Sequence, residues 1–141
     1  MSSDPNCVFC KIVGGQIPSI KLYEDTDTLS FMDINPLNPG HCLAIPKVHF
    51  PDVFSIDAVT IAKTATTARR IARAVQAALS PPGLNLVQSN GPAAAQSVLH
   101  FHFHILPRRD SDVAALNWAP KPGKMDEIKA VAEKIRAKLE P

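Results

Sequence analysis

Three histidines alternate with apolar residues in the segment LHFHFHILPR, residues 99–108. Alternation with a period of two is typical of a β-strand buried on one face, so His100, His102 and His104 are expected to share a face. Successive residues on that face lie roughly 6.6 Å apart, and Pro107 is expected to end the strand because it cannot donate a ladder hydrogen bond. The apolar residues are expected on the opposite face, toward a core: Leu99, Phe101, Phe103 and Ile105.

A row of imidazoles on one strand has three interpretations. It can be the solvent face of a surface strand, but charged imidazoles side by side would repel one another and neutral ones would pack poorly. It can bind a metal, since H-x-H pairs on strands chelate well. It can also perform covalent catalysis on phosphorus, with one imidazole as nucleophile and its neighbours on the phosphate oxygens. The spacing alone does not separate the last two.

The remaining pattern predicts an α+β fold. Residues 57–79 and 125–139 show helical spacing of apolar residues, and residues 7–13 indicate a short helical stretch. The first of these helices is expected to bury the stripe Ile61, Ala65, Ala68, Ala72, Val75 and Leu79. Strands are expected at residues 20–25, 28–34, 41–47, 84–90 and 99–106. Short turns between strands favour an antiparallel sheet, so we expect about five strands, one long central helix and a C-terminal helix.

Composition limits the functional classes. A chain of 141 residues suits one domain, and a net charge of +2 does not indicate a nucleic-acid surface. No apolar run approaches the roughly 20 residues of a membrane span, and residues 1–10 do not resemble a signal peptide. Three cysteines, two of them in a C-x-x-C pattern, favour a reducing compartment, so the cytoplasm is the expected location.

Cys7 and Cys10 have the spacing of a zinc-binding pair, which by itself is a weak signal. Unligated thiols or a redox pair are the alternatives, although a thioredoxin-like pair is expected near a βαβ unit that this chain lacks. A tetrahedral zinc would need two further ligands. Cys42 is interpreted as a packed thiol.

Three segments together resemble the histidine triad (HIT) superfamily. FCKIVGGQIP, FMDINPLNPGHCLAIPKVH and VQSNGPAAAQSVLHFHFH match its order and spacing over about Cys7 to Arg108. The resemblance implies a HIT-like fold with residues 1–141 as a single HIT domain, residues 109–141 being a C-terminal tail and helix. It also implies a homodimer that joins two sheets edge to edge. His104 argues for the hydrolase branches, and the chain resembles bacterial-type members with an N-terminal C-x-x-C and the nucleoside phosphoramidase branch.

The resemblance assigns catalytic roles to the histidines. His102 would attack the α-phosphorus of a purine nucleotide conjugate, a phosphoramidate or an anhydride, and form a covalent nucleotidyl-histidine that water hydrolyses. Its other ring nitrogen would donate to the carbonyl of His100. His104 and Gln96 would contact the α-phosphate and stabilise its charge. The two remaining roles fall on Ser97, which would bond the leaving-group side, and His41, which would support the triad.

The resemblance also implies binding sites. Asp33 would accept hydrogen bonds from the ribose, and Asn90 would contact a phosphate or sugar oxygen. The base would lie in an apolar slot formed by Phe9, Ile12, Ile17 and Phe31. One structural Zn²⁺ per chain would be held by Cys7, Cys10, His49 and His100.

Residue 95 and the segment after the triad bear on the branch within the superfamily. That segment, LPRRDSDVAALNW, resembles the dinucleoside polyphosphate hydrolase branch in its LPR and the nucleoside phosphoramidase branch in overall size. Ala95 stands where many relatives have glycine, which puts the shape of the phosphate loop in question. The tail around Trp118 is expected to reach toward the partner subunit's site and shape specificity. Three alternative functions remain open. They are a dinucleoside polyphosphate hydrolase, a nucleotide-binding adaptor with vestigial catalysis, and a metallohydrolase with the three histidines as zinc ligands.

Overall fold

One antiparallel sheet with strand order β1-β2-β3-β5-β4 organises the computed structural model, which describes residues 2–112 and 121–140. Together with three helices in those residues, it confirms the predicted α+β class. The strands are β1 (Lys21–Glu24), β2 (Thr28–Met32), β3 (Cys42–Pro46), β4 (Gly83–Gln88) and β5 (Phe103–Arg108). The helices are α1 (Val8–Val13), α2 (Ala58–Leu79) and α3 (Met125–Arg136).

The two faces of the sheet carry separate apolar clusters. Along β3, Cys42 and Ala44 belong to the cluster that contains α2 and α3, whereas Leu43 and Ile45 belong to the cluster that contains α1. This division follows from the period of two along a strand. The long helices therefore cover one face, and α1 packs on the other.

Helix α2 begins at an aspartate cap and ends before two prolines. The Asp57 carboxylate accepts from the main-chain N–H of Thr60 at 2.8 Å, which satisfies a free donor of the first turn. Ser80 adopts a left-handed conformation with φ 46° and closes the helix, and Pro81 follows.

The buried face of α2 differs from the predicted stripe, because Ala65 is exposed and Thr64 and Thr67 are buried. Hydrogen bonding explains how threonines occupy core positions: Thr64 donates to the Thr60 carbonyl at 2.8 Å, and the Thr67 and Thr28 hydroxyls lie 2.7 Å apart. A prediction from the spacing of apolar residues does not include threonines, even where their hydroxyl groups are hydrogen-bonded and can be buried.

The C-terminal helix α3 is part of the main core. Ile128, Ala132 and Ile135 are buried against α2 and the sheet, whereas Met125 remains 47% exposed. The helix ends at Arg136, three residues before the predicted end. Trp118 and the expected reach of the tail lie outside the described residues. None of the helices in the described ranges combines the length and apolarity needed to cross a membrane.

The histidine segment is less regular than predicted. Strand β5 begins at Phe103, so His104 lies in the strand while His100 and His102 lie in the segment that enters it. In that segment the Phe101 N–H donates to the Phe50 carbonyl at 2.6 Å. Leu99 is 61% exposed, so the prediction that it faces the core was wrong.

Pro107 does not end β5, because it pairs with Leu84 of β4 inside the strand. The pairing of β5 with β3 ends at the Cys42–Ile105 pair. Beyond that point β5 has only β4 beside it, and proline is tolerated at a strand position with one free side.

Candidate active site and metal centre

A cavity of about 1010 Å³ opens on the sheet face that packs against α1. Its walls include nine of the predicted catalytic and nucleotide-binding residues: Phe9, Ile12, Ile17, Phe31, Asp33, Gln96, Ser97, His102 and His104. Asn90 and His41 are not among the lining residues that the structure describes. The sheet face and the loop before β5 thus bring most of the predicted site together.

His102 is fixed by its two neighbours in the triad. Its Nδ1 lies 2.6 Å from the His100 carbonyl oxygen and its Nε2 lies 3.2 Å from Nε2 of His104. The ring of Phe9 meets it edge-on at 5.2 Å between centroids. A carbonyl oxygen only accepts, so Nδ1 carries the proton, and burial lowers the pKa of His102, which keeps the ring neutral. The lone pair is consequently on Nε2.

His104 and His41 form the next link. Nδ1 of His104 lies 2.9 Å from Nε2 of His41, and Nδ1 of His41 accepts from the main-chain N–H of Leu37 at 2.9 Å. Burial lowers the pKa of His41 to about 4 and that of His104 to about 3. Both rings are therefore neutral at pH 7.

Asp33 brings a carboxylate to the cavity wall at the end of β2. One oxygen accepts from the N–H of Asn35 at 2.8 Å, and the other lies 3.3 Å from Nε2 of His41. No lysine or arginine lines the cavity in the described ranges, and residues 113–120, VAALNWAP, contain neither. Of the lining residues that the structure describes, Asp33 is thus the only one with a carboxylate, ammonium or guanidinium side chain.

The loop before the triad is held by Gln96. Its amide oxygen accepts from the Gly91 N–H at 2.7 Å, and its amide nitrogen donates to the carbonyls of Pro51 and Val98 at 2.7 and 3.1 Å. Both amide hydrogens are committed, so the predicted bond from this amide to the α-phosphate has no free donor. We instead assign Gln96 to shaping the loop.

Ala95 in this loop has φ 62° and ψ 30°. This left-handed conformation suits glycine, and alanine adopts it at some strain.

Asn90 is not among the residues that line the described cavity, and its amide is bonded within the protein. Its side chain bonds with that of Gln88 at 2.7 and 2.8 Å and accepts from the N–H of Val53 at 2.7 Å. Ser89 lines the cavity together with Val87 and was missed by sequence reasoning. The period of two along β4 was the available signal, because it places residues 87 and 89 on one side.

The four predicted metal ligands converge. Nδ1 of His100 lies 3.5 Å from Sγ of Cys7, 3.6 Å from Sγ of Cys10 and 3.2 Å from Nδ1 of His49, which itself lies 3.3 Å from Sγ of Cys10. Tetrahedral zinc with Zn–S about 2.3 Å and Zn–N about 2.0 Å separates sulfur and nitrogen ligands by roughly 3.5 Å and two nitrogens by roughly 3.3 Å. The observed separations fit that geometry.

The protonation of His100 fits a metal as well. Its Nε2 donates to the Pro46 carbonyl at 2.8 Å, which leaves the lone pair on Nδ1, the atom that faces the cysteines. Burial raises the pKa of the Cys7 thiol, so a thiolate there needs a nearby cation. These residues are able to hold a metal ion with two sulfur and two nitrogen donors.

Comparisons with known proteins agree with this arrangement. The family model described as the HIT domain matches residues 14–111, more than half of the chain. The chain is 36% identical to "Adenosine 5'-monophosphoramidase hnt1" of Schizosaccharomyces pombe, over 95% of this chain and 98% of that protein.

Two solved structures are similar over nearly all of the chain. One is a HIT-like protein from Bartonella henselae described as involved in cell-cycle regulation, with a TM-score of 0.88 and 36% identity, covering 99% of this chain and 100% of that one. The other is a zinc-bound histidine triad family protein from Mycobacterium smegmatis, with a TM-score of 0.81 and 37% identity, covering 94% and 92%.

Proposed function

The chain belongs to the HIT domain family, and from this we propose that it hydrolyses purine nucleotide conjugates at the α-phosphate through a covalent nucleotidyl-His102. Adenosine 5'-monophosphoramidate is the substrate class we favour, since a relative that matches nearly the whole chain carries that activity in its name. The observation that carries the proposal is the position of Nε2 of His102, the ring nitrogen that bears the lone pair, at the wall of a nucleotide-sized cavity.

The reaction needs a neutral imidazole with its lone pair directed at phosphorus. In the first step Nε2 of His102 forms a bond to the α-phosphorus while the phosphorus–nitrogen bond breaks, and the departing amine takes up a proton from the solvent. The proton on Nδ1 stabilises the imidazolium-like adduct through the His100 carbonyl, 2.6 Å away. Water then attacks phosphorus and gives up a proton to the solvent while the bond from phosphorus to Nε2 breaks, which releases the nucleoside monophosphate and neutral His102.

The other cavity residues support binding and charge stabilisation. His104 presents an N–H beside the nucleophile and would donate to a phosphate oxygen in the transition state. Asp33 would bind the ribose hydroxyls, and Ser97 would bond the leaving-group side. The aromatic and aliphatic slot of Phe9, Ile12, Ile17 and Phe31 would hold the base.

The charge of the cavity favours an amine over a polyphosphate as the leaving group. A dinucleoside polyphosphate releases a group with several negative charges, and cationic side chains or metal ions ordinarily bind such a group. The described cavity wall offers Asp33 and no lysine or arginine. An amine leaves without negative charge and needs no such partner.

Turnover of two substrates by the same preparation tests this proposal. We expect adenosine 5'-monophosphoramidate to have a higher kcat/KM than diadenosine tetraphosphate, and acid-labile label from [³²P]-phosphoramidate to map to His102 after rapid quenching. A label on another residue would contradict the mechanism, and preference for the tetraphosphate would contradict the substrate class. Tight AMP binding with no turnover of either would indicate an adaptor.

We also propose that Cys7, Cys10, His49 and His100 hold one Zn²⁺ with a structural role. A Cys₂His₂ set fills the tetrahedral shell and leaves no position for a reacting water. The observed donor set and separations support this, as does the zinc in the M. smegmatis relative.

A homodimer is proposed through β4, an edge strand of six residues on which Leu86 is 48% exposed. Unpaired edge strands with apolar side chains are ready to pair with a second copy. Light scattering of the purified chain tests this, and a monomer at micromolar concentration would contradict it. We further propose that residues 1–141 form one HIT domain that works in the cytoplasm, where its cysteines stay reduced.

A further inference from the structure

We propose that the main-chain N–H of Leu37 is a positioning group for the nucleophile, because it sets, through His41 and His104, which nitrogen of each imidazole carries the proton. The inference rests on the proposed role of His102. It concerns the loop Asn35–Gly40 between β2 and β3, in which Leu37 is not among the described residues that line the cavity.

The first link is a donor whose direction cannot change. The Leu37 N–H lies 2.9 Å from Nδ1 of His41, and a main-chain N–H can only donate. Nδ1 of His41 therefore bears the lone pair. Since the ring is fully buried and neutral, its proton is on Nε2.

The second link carries this direction to His104. Nε2–H of His41 lies 2.9 Å from Nδ1 of His104. A proton on that Nδ1 would place two N–H groups against each other, so Nδ1 of His104 accepts and its own proton is on Nε2. Asp33, 3.3 Å from Nε2 of His41, is a second acceptor for the same N–H and favours the same tautomer of His41.

The third link reaches the nucleophile. Nε2–H of His104 lies 3.2 Å from Nε2 of His102, so that atom must accept. The proton of His102 is then on Nδ1, where it donates to the His100 carbonyl at 2.6 Å. The Leu37 N–H can only donate and the His100 carbonyl can only accept. Both ends therefore require the hydrogen bonds between the three rings to run in the same direction.

One consequence concerns the role of His41. It is fully buried and does not line the described cavity wall, so it acts on the reaction through His104 rather than by touching substrate. A second consequence concerns metal binding, since Asp33, His41 and His104 are close enough to hold an ion. The proton on Nε2 of His41 occupies the direction that a metal would need, and this cluster is consequently a hydrogen-bonded link.

Nitrogen-15 NMR of the ring nitrogens tests the inference directly, using the full chain purified with zinc and without nucleotide. We expect His41 and His104 as Nε2–H tautomers and His102 as the Nδ1–H tautomer, at pH 7. A different tautomer at any of the three rings, or a second zinc ion per chain bound at His41 and His104, would overturn the inference. This readout does not depend on turnover, so it stands apart from failure of the proposed function.

Substitution at Leu37 separates the amide from the side chain. Leu37→Pro removes the N–H, whereas Leu37→Ala retains it. Relative to Leu37→Ala, we expect Leu37→Pro to lower kcat by about fivefold, the effect of one neutral hydrogen bond, with KM little changed and the His41 signal shifted toward a mixture of tautomers. Equal kcat and unchanged His41 tautomers in the two variants would refute the role of the amide.

A second pair covers the case in which Leu37→Pro does not fold. His41→Gln keeps an N–H donor at the position of Nε2, whereas His41→Ala removes it. His104 should remain the Nε2–H tautomer in His41→Gln and become a mixture in His41→Ala, and kcat should be higher in His41→Gln. Equal kcat and identical His104 spectra in both variants would show that His41 does not direct the chain.

Discussion

Nδ1 of His102 lies 2.6 Å from the main-chain oxygen of His100, the residue whose own Nδ1 faces Cys7 and Cys10. His100 thus belongs to the proposed zinc site through its side chain and to the proposed catalytic site through its backbone. Phe9 lies between the two cysteines in sequence, and its ring packs edge-on against the rings of His100 and His102, with centroid distances of 5.8 and 5.2 Å. The proposed zinc site and the proposed nucleophile are therefore adjacent.

Replacing the nucleophile should separate chemistry from binding. His102→Asn is expected to fold and to retain AMP affinity within a few-fold, because the ribose and base contacts come from other residues. Turnover of adenosine 5'-monophosphoramidate should fall by at least about 10³-fold, since neither neighbouring histidine can replace a covalent nucleophile. Calorimetric titration with AMP measures the affinity, and rapid-quench assays measure the turnover. A near-normal rate would contradict the assignment of His102.

The zinc cluster should contribute more to stability than to turnover. Metal analysis of protein purified without chelators is expected to give about one zinc per chain. Changing both Cys7 and Cys10 to Ser should lower Tm by roughly 10 °C or more, because metal binding free energy is folding free energy. Turnover per folded molecule should fall less.

Cys42→Ala is the matched control for the zinc prediction, since it removes a buried thiol that lies outside the cluster. It should keep full zinc content. Zinc-free wild-type protein, or zinc lost from Cys42→Ala as well, would show that the cluster is not the metal site.

The sequence was most informative where local pattern and side-chain chemistry agree. Strand-forming runs between turns predicted β1, β2, β3 and β4 to within two residues at each end. The three motif segments predicted that Asp33 and His102 would meet, and both line one cavity. The C-x-x-C and two distant histidines converge as predicted, although the separations come only from tertiary structure.

Tertiary hydrogen bonds account for what the pattern did not predict. The segment around His100 alternates like a strand, but its N–H and carbonyl groups bond to Phe50 and to the His102 ring instead of a ladder. Gln96 resembles a ligand residue in its motif, yet its amide is consumed by three main-chain partners. In both cases the type of residue does not show which partner its hydrogen-bonding groups will have in the folded chain.

Acid should weaken the fold through His41. Burial lowers its pKa to about 4 from 6.5, so the unfolded chain binds a proton between these values while the native state does not. The contribution of neutral His41 to the free energy of unfolding is therefore complete above pH 6.5 and is lost as the pH falls toward 4. For one group this contribution amounts to roughly 3 kcal/mol. Urea unfolding at pH 7 and pH 4.5 should show a smaller loss for His41→Gln than for wild type. An equal loss of unfolding free energy in the two proteins would show that protonation of His41 does not cause the acid sensitivity.

Ala95→Gly should raise stability, because Ala95 holds φ 62° in the loop that borders the cavity. An alanine in this region costs about 1 kcal/mol that glycine does not, while glycine adds freedom to the unfolded chain. We expect a net gain of up to about 0.5 kcal/mol in the free energy of unfolding. Ala94→Gly, in the 3₁₀ turn before it, relieves no such strain and should instead lose roughly 0.5–1 kcal/mol. Chemical unfolding of both variants with the wild type measures the difference, and a loss in Ala95→Gly as large as that in Ala94→Gly would show that the left-handed alanine stores no strain.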